Sequence, residues 1–151
     1  MAKCTIDSPV GRLIAEVNDD ALLALDFEQD GEVYRDEHPL LDKLKSELRD
    51  YFEGKRKSFS LPLAPKGTPF QESVWKTLTY IPYGQTVSYS TEASMLEHPK
   101  AVRAVANANG KNKIAIIIPC HRVIAKNGGI GGYSGGLWRK EYLLALEAKY
   151  R

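Results

Sequence analysis

Apolar and polar positions along the chain fall into two regimes. In the first third the pattern is short and close to alternating. Leu13 to Val17 and Leu22 to Phe27 are separated by the polar Asn18-Asp19-Asp20, and Ser8-Pro9-Val10-Gly11 supplies a turn signal before them. These runs, with an opening segment that contains Cys4, predict three short strands. The period then changes. Leu40, Leu41, Leu44, Leu48, Tyr51 and Phe52 recur at helical spacing with charges between them, Pro39 suits the first helical turn, and Gly54 ends the pattern. The basic, proline-rich stretch 55–66 reads as a linker.

The second part is mainly helical. Thr68-Pro69-Phe70-Gln71 combines an N-cap, a first-turn proline and a capping-box glutamine. Phe70, Val74 and Leu78 mark the apolar face of that helix, and Ile81-Pro82-Tyr83-Gly84 breaks it. A short helix is expected over about 90–96, and a third from Pro99 to about Asn109. Short helices joined by a tight connection have helix-turn-helix shape. The third carries Ala101, Ala104, Ala106 and Ala108, whose small side chains let a backbone approach another surface. Residues 114–118 are almost wholly β-branched and read as a buried extended segment stopped by Pro119. A last helix starts near Leu137 with Tyr142, Leu143, Leu146 and Tyr150 along it. The fold class expected is α/β (α+β). A sheet-plus-helix domain over 1–60, with a linker to about 67, precedes a helical domain with a winged-helix-like helix-turn-helix over 68–151.

Charge sharpens the division. Residues 1–54 hold 14 acids and 6 bases, a balance of −8, whereas residues 55–151 hold 5 acids and 15 bases, a balance of +10. A basic half attracts phosphates, and that attraction weakens with salt. Pairing of the two halves with each other is the alternative. No apolar run approaches a membrane span and no signal pattern opens the chain, so a cytoplasmic location is expected. Two cysteines, Cys4 and Cys120, are too few for a disulfide framework. His38 and His98 each precede a proline outside any ligand spacing, so no metal is expected.

The chemistry concentrates in Pro119-Cys120-His121-Arg122-Val123. An imidazole and a guanidinium beside a thiol favour its thiolate, the nucleophilic form. A structural cysteine is the alternative for such a residue. The glycine-rich stretch 128–136 has six glycines in nine residues, which allows close passage of backbone past a ligand or serves as a surface loop.

The five-residue motif resembles the active site of the methylated-DNA–protein-cysteine methyltransferases, or O6-alkylguanine-DNA alkyltransferases. Asn112 before it, Tyr133-Ser134-Gly135-Gly136 after it and Glu147 near the end match at matching spacing. The resemblance is strong from about Thr68 to Glu147 and weak over the first sixty residues. It implies that Cys120 accepts an alkyl group from O6-alkylguanine in DNA, with O4-alkylthymine a further substrate to test. His121 would be the base through a water, and Glu147 would hold the imidazole. Asn112 would fix the turn. Tyr89, Val123, Tyr133 and Ser134 would meet the lesion. Arg103 would fill the gap left by the extruded base, because a thiolate cannot reach O6 inside the stack. Ala101, Ala104, Asn109 and Gly110 would lie against DNA, and Arg122 would brace the two domains. Lys113 stands where many relatives have proline.

The implied function is direct, irreversible repair, one event per molecule, without a cofactor. The expected partner is double-stranded DNA, met from the minor groove by a monomer in the cytoplasm or nucleoid, with cooperativity left open. The rival readings are a lesion-binding protein without transfer, a cysteine hydrolase using Cys120 and His121, and a transcription factor.

Overall fold

The computed structural model describes residues 1–151. The chain divides into two compact units. The first comprises residues 1–66 together with Lys113–Ala115, and the second comprises Gly67–Asn112 and Ile116–Arg151.

In the first unit, β1 (Ala2–Ile6), β2 (Leu13–Val17) and β3 (Leu22–Phe27) form an antiparallel meander in the order β1-β2-β3. Alternation sends Leu13, Ala15 and Val17 inward, and the partner strands present Cys4, Ile6, Leu22, Leu25 and Phe27 to the same core. Helix α1 (Pro39–Phe52) closes that core with Leu41, Leu44, Leu48 and Tyr51. His38 caps α1 through Nδ1, which accepts from the Leu40 amide at 3.1 Å.

Two expectations change here. The stretch 55–66 is not a free linker. Leu61 is buried, Leu22 N–H donates to Pro62 O at 2.9 Å, and Ala64 N–H donates to Leu22 O at 2.9 Å. Nor is 114–118 an extended strand. Only Ile114 bridges the sheet, beside Leu25; the chain then turns, and Ile116 takes a φ of 72°. Its aliphatic side chains are buried by a compact turn, where hydrophobicity matches a strand but backbone pairing does not.

In the second unit, α2 (Pro69–Leu78) begins with the complete capping box: Gln71 N–H donates to Thr68 Oγ1 at 3.1 Å and Thr68 N–H to Gln71 Oε1 at 3.0 Å. A two-residue strand β4 (Val87–Ser88) leads into α3 (Tyr89–Met95), capped by the Ser88 hydroxyl. Helix α4 (Val102–Gly110) follows. It starts later than Pro99 suggests because Glu97 adopts a φ of 62° and reverses the chain, so Ala101 is its N-cap. Strand β5 (Val123–Ile124) pairs parallel to β4, and α5 (Leu137–Tyr150) closes the unit. Helices α2, α3 and α4 pack mutually, which is the helix-turn-helix arrangement. Trp75 on α2 is buried between them and donates its indole N–H to Ala108 O at 2.9 Å.

Candidate active site

Cys120 opens a single 3-10 turn, Cys120–Arg122, directly before β5. Its amide donates to Ile118 O at 2.8 Å. Asn112, just past α4, donates through Nδ2 to Ile118 O at 2.8 Å and to the Cys120 sulfur at 3.4 Å. Asn112 therefore does more than hold a turn: it touches the thiol. Burial is the largest influence on Cys120 and pushes its pKa up to about 11, against the Asn112 hydrogen bond and the Lys140 charge. The resting group is a thiol.

His121 and Glu147 meet as the sequence comparison implied. His121 is fully buried, and its Nε2 lies 2.7 Å from Glu147 Oε2. Glu147, on α5, also accepts from Arg122 Nε at 2.8 Å, Arg122 Nη2 at 3.1 Å and Gly84 N–H at 3.2 Å. Burial alone would raise the Glu147 pKa, but the His121 and Arg122 hydrogen bonds and charges outweigh it and hold the carboxyl ionised. A carboxylate at Nε2 selects the tautomer with Nε2–H, which leaves the lone pair on Nδ1. Nδ1 is buried and faces no protein donor. Burial depresses the His121 pKa, so the ring is neutral at neutral pH and its Nδ1 lone pair is free to accept a proton.

The Arg122 guanidinium is spent inside the second unit, on Glu147 and on Ile81 O at 2.7 Å.

A pocket of ≈390 Å³ opens onto Cys120 and is lined by Tyr89, Asn109, Gly110, Tyr133 and Ser134 among others. Five of the residues singled out in the sequence thus share one wall with the thiol. Tyr89, whose pKa is raised chiefly by burial, accepts at its hydroxyl from Gly132 N–H at 3.3 Å. Gly131 packs so closely on Tyr89 that a Cβ there would lie 2.7 Å from the hydroxyl, and its φ of 75° independently favours glycine. Val123 is fully buried and does not line the pocket. A larger groove of ≈650 Å³, with Gly84, Ile124, Leu144 and Arg151 along it, reaches Glu147 but not the thiol, so the smaller cavity is the one suited to chemistry at Cys120.

Arg103 and Ala104 are exposed on α4, Gly110 is exposed at its end, and Ala101 is half-buried. Asn109 differs. It is buried, and its amide is committed to Glu92 on α3, so it presents no side chain to the outer face of α4.

Lys140 was not singled out in the sequence. It is fully buried on α5, and its ammonium donates to Val123 O at 2.7 Å and Gly132 O at 2.9 Å. Val123, expected to meet the lesion, has its carbonyl already held by Lys140. That cation ties the glycine-rich loop to the turn after Cys120 and favours the thiolate. Within Leu137-Trp138-Arg139-Lys140-Glu141 it reads as one more solvated base, and no local signal marks it.

Fold and site together define a helix-turn-helix protein with a buried cysteine facing a pocket beside α4, backed by a buried His–Glu–Arg network. The class is a cysteine-acceptor transferase. Residues 69–149 match the 6-O-methylguanine DNA methyltransferase DNA-binding domain, and residues 1–65 match the ribonuclease-like domain of the same methyltransferases. The chain belongs to the 6-O-methylguanine DNA methyltransferase family. It is 44% identical to the constitutive methylated-DNA–protein-cysteine methyltransferase of Bacillus subtilis, over 95% of this chain and 93% of that protein. It is 45% identical to the Methanosarcina barkeri methylated-DNA–protein-cysteine methyltransferase, over 94% of each. Among solved structures, the Mycobacterium tuberculosis O6-methylguanine methyltransferase superposes with a TM-score of 0.90 at 39% identity, covering 99% of this chain and 94% of that one. The Mycobacterium tuberculosis OGT in complex with DNA gives 0.88 at 43% identity, covering 97% and 92%.

Proposed function

We propose that the protein repairs O6-alkylguanine in double-stranded DNA by moving the alkyl group to Cys120 in a single displacement. The observation that carries this reading is the pocket that gathers Tyr89, Tyr133, Ser134 and the Cys120 thiol against α4. The thiol proton passes through a water to His121 Nδ1, and the Glu147 carboxylate stabilises the imidazolium. The thiolate attacks the alkyl carbon, the carbon–O6 bond breaks, and its electron pair stays with the guanine. Tyr89, which lines the pocket, gives its hydroxyl proton to a ring nitrogen as the base leaves, and the proton held by His121 returns through water to the tyrosinate. Lys140 stabilises the developing thiolate until the sulfur becomes a neutral thioether.

The exposed face of α4, which carries Arg103, enters the minor groove, and the protein holds DNA mostly through phosphate contacts that carry little sequence information. The lesion swings out of the stack into the pocket, and Arg103 fills its place. No side chain here cleaves a thioether, so each molecule acts once. The protein works as a monomer in the cytoplasm, on the nucleoid when bound to DNA, and requires no cofactor.

The test is intact mass after incubation with a duplex containing O6-methylguanine. One methyl gain, mapped to Cys120 and absent from Cys120→Ala, is the expected result; a parallel duplex with O4-methylthymine defines substrate range. Product beyond one equivalent of protein, or turnover of simple esters, would instead indicate a hydrolase.

A further inference from the structure

Behind the pocket, α3 and α4 are joined by a buried acid. Glu92 is completely shielded from solvent, and its Oε1 accepts from Asn109 Nδ2 at 2.7 Å. Glu92 Oε2 and Asn109 Oδ1 are both buried, and neither receives a hydrogen bond. No cation answers the carboxyl. Of the elements packed against α3, α2 offers only the exposed Glu72 and Lys76, α4 only the exposed Arg103, and β4 and β5 no titratable group. Lys140 is committed to two carbonyls. The titratable groups that feel Glu92 are Tyr89, on its own helix, and Cys120.

A bare carboxylate with a single neutral donor is a costly thing to bury. A proton solves both deficits, since one O–H satisfies Glu92 and the acceptor opposite. We propose that Glu92 works as a neutral acid, its Oε2–H donated to Asn109 Oδ1, so that acid and amide form a two-bond clamp that positions the end of α4 behind the Cys120 pocket and keeps negative charge away from the forming thiolate. Burial also pushes the Glu92 pKa up to about 7, which agrees with the geometry. Asn109 lines the pocket, and three residues further on Asn112 holds the sulfur, so displacement of the last turn of α4 reaches the nucleophile directly. Glu92 is a positioning residue, and its role rests on the alkyl-transfer reading above.

The decisive substitution is Glu92→Gln in the full chain. Glutamine reproduces both bonds, donating through Nε2 to Asn109 Oδ1 and accepting at Oε1, but cannot ionise. Single-turnover transfer from an O6-methylguanine duplex should match the parent within about twofold near pH 6, where residue 92 is mostly uncharged in both proteins. Near pH 9 the Gln variant should be faster by about threefold or more, because the parent then carries a carboxylate beside the thiol. Glu92→Ala should be slower at every pH. Independently, carbon-13 NMR of the Glu92 carboxyl, assigned by its loss in Glu92→Gln, should titrate near neutrality. A midpoint in the ordinary glutamate range of about 4.3, or a Gln variant slower than the parent at every pH, would overturn the clamp. Absence of transfer by the parent protein would sink the repair reading, while the NMR midpoint would still decide the protonation of Glu92.

Discussion

Glu147→Gln is the most demanding test of the buried network, because it changes one atom and keeps the shape. Four donors converge on the carboxylate. Arg122 Nε and Gly84 N–H reach Oε1; His121 Nε2 and Arg122 Nη2 reach Oε2. Glutamine offers one acceptor oxygen, so either orientation turns an NH₂ group toward two donors. Turned toward His121, it also drives the proton to Nδ1 and removes the base. The variant leaves the Arg122 guanidinium, only 7% exposed, without its anion. Breaking a buried pair this way costs about 3–5 kcal/mol, which for a chain of this size lowers the melting temperature by roughly 10 °C. Transfer should slow by about 10²–10⁴-fold, the range for loss of a positioned base.

The acid limb gives the sign. The Glu147 pKa is lowered in the folded protein, so its contribution is present above the unfolded value of about 4.3 and disappears as pH falls through the folded one. That loss should vanish in the variant. His121 is also lowered, so its own contribution fades from about pH 6.5 downward, and that limb should remain. Denaturant titration across acid pH, with single-turnover transfer at neutral pH, measures both. A loss below about 1 kcal/mol, the value of an exposed ion pair, with transfer intact would refute the network as described.

Arg103→Ala should slow transfer strongly from duplex DNA but much less from the free alkylated base, which has no stack to leave; equal losses would withdraw the base-extrusion role. Lys140→Met keeps the stem and removes the cation, so the thiol should react about tenfold more slowly with iodoacetamide at a fixed alkaline pH, roughly one unit of pKa; an unchanged rate would show that Lys140 is only a strut for the loop. Affinity for undamaged duplex should fall steeply across a salt series, and a flat response would mean that the basic residues of 55–151 do not meet phosphate.

Local signals in the sequence were legible where the physics is local. Thr68, Pro69 and Gln71 specify a helix start by themselves, and the start is where they place it. Alternation at Leu13 to Val17 specifies a half-buried strand for the same reason. Ile114 to Ile118 misled because β-branched burial is shared by strands and buried turns, and only the backbone at Ile116 separates them. The stretch 55–66 misled because prolines and lysines conceal Leu61 and Leu63, which have no periodic neighbours. Around the thiol, Cys120 and His121 were nominated by their adjacency together with the family resemblance, and Glu147 by the resemblance alone. Glu92 and Lys140 escaped, and Asn109 was assigned to the DNA face and not to its buried bond with Glu92, because a buried polar group is defined by partners distant in sequence and each resembles a solvated residue in its own helix.

The burial of Cys120 also governs how long the protein stays fit for use. With a pKa of about 11, only about one sulfur in ten thousand is ionised at pH 7. Peroxide, soluble alkylators and mixed disulfides all consume thiolate rather than thiol. If each molecule acts once, as proposed above, its nucleophile has no second chance after an accidental reaction. The apolar surroundings that make the resting sulfur sluggish therefore act as a safety catch, released only where a base and a positioned lesion are present together, and idle molecules should keep their capacity far longer than an exposed low-pKa cysteine would.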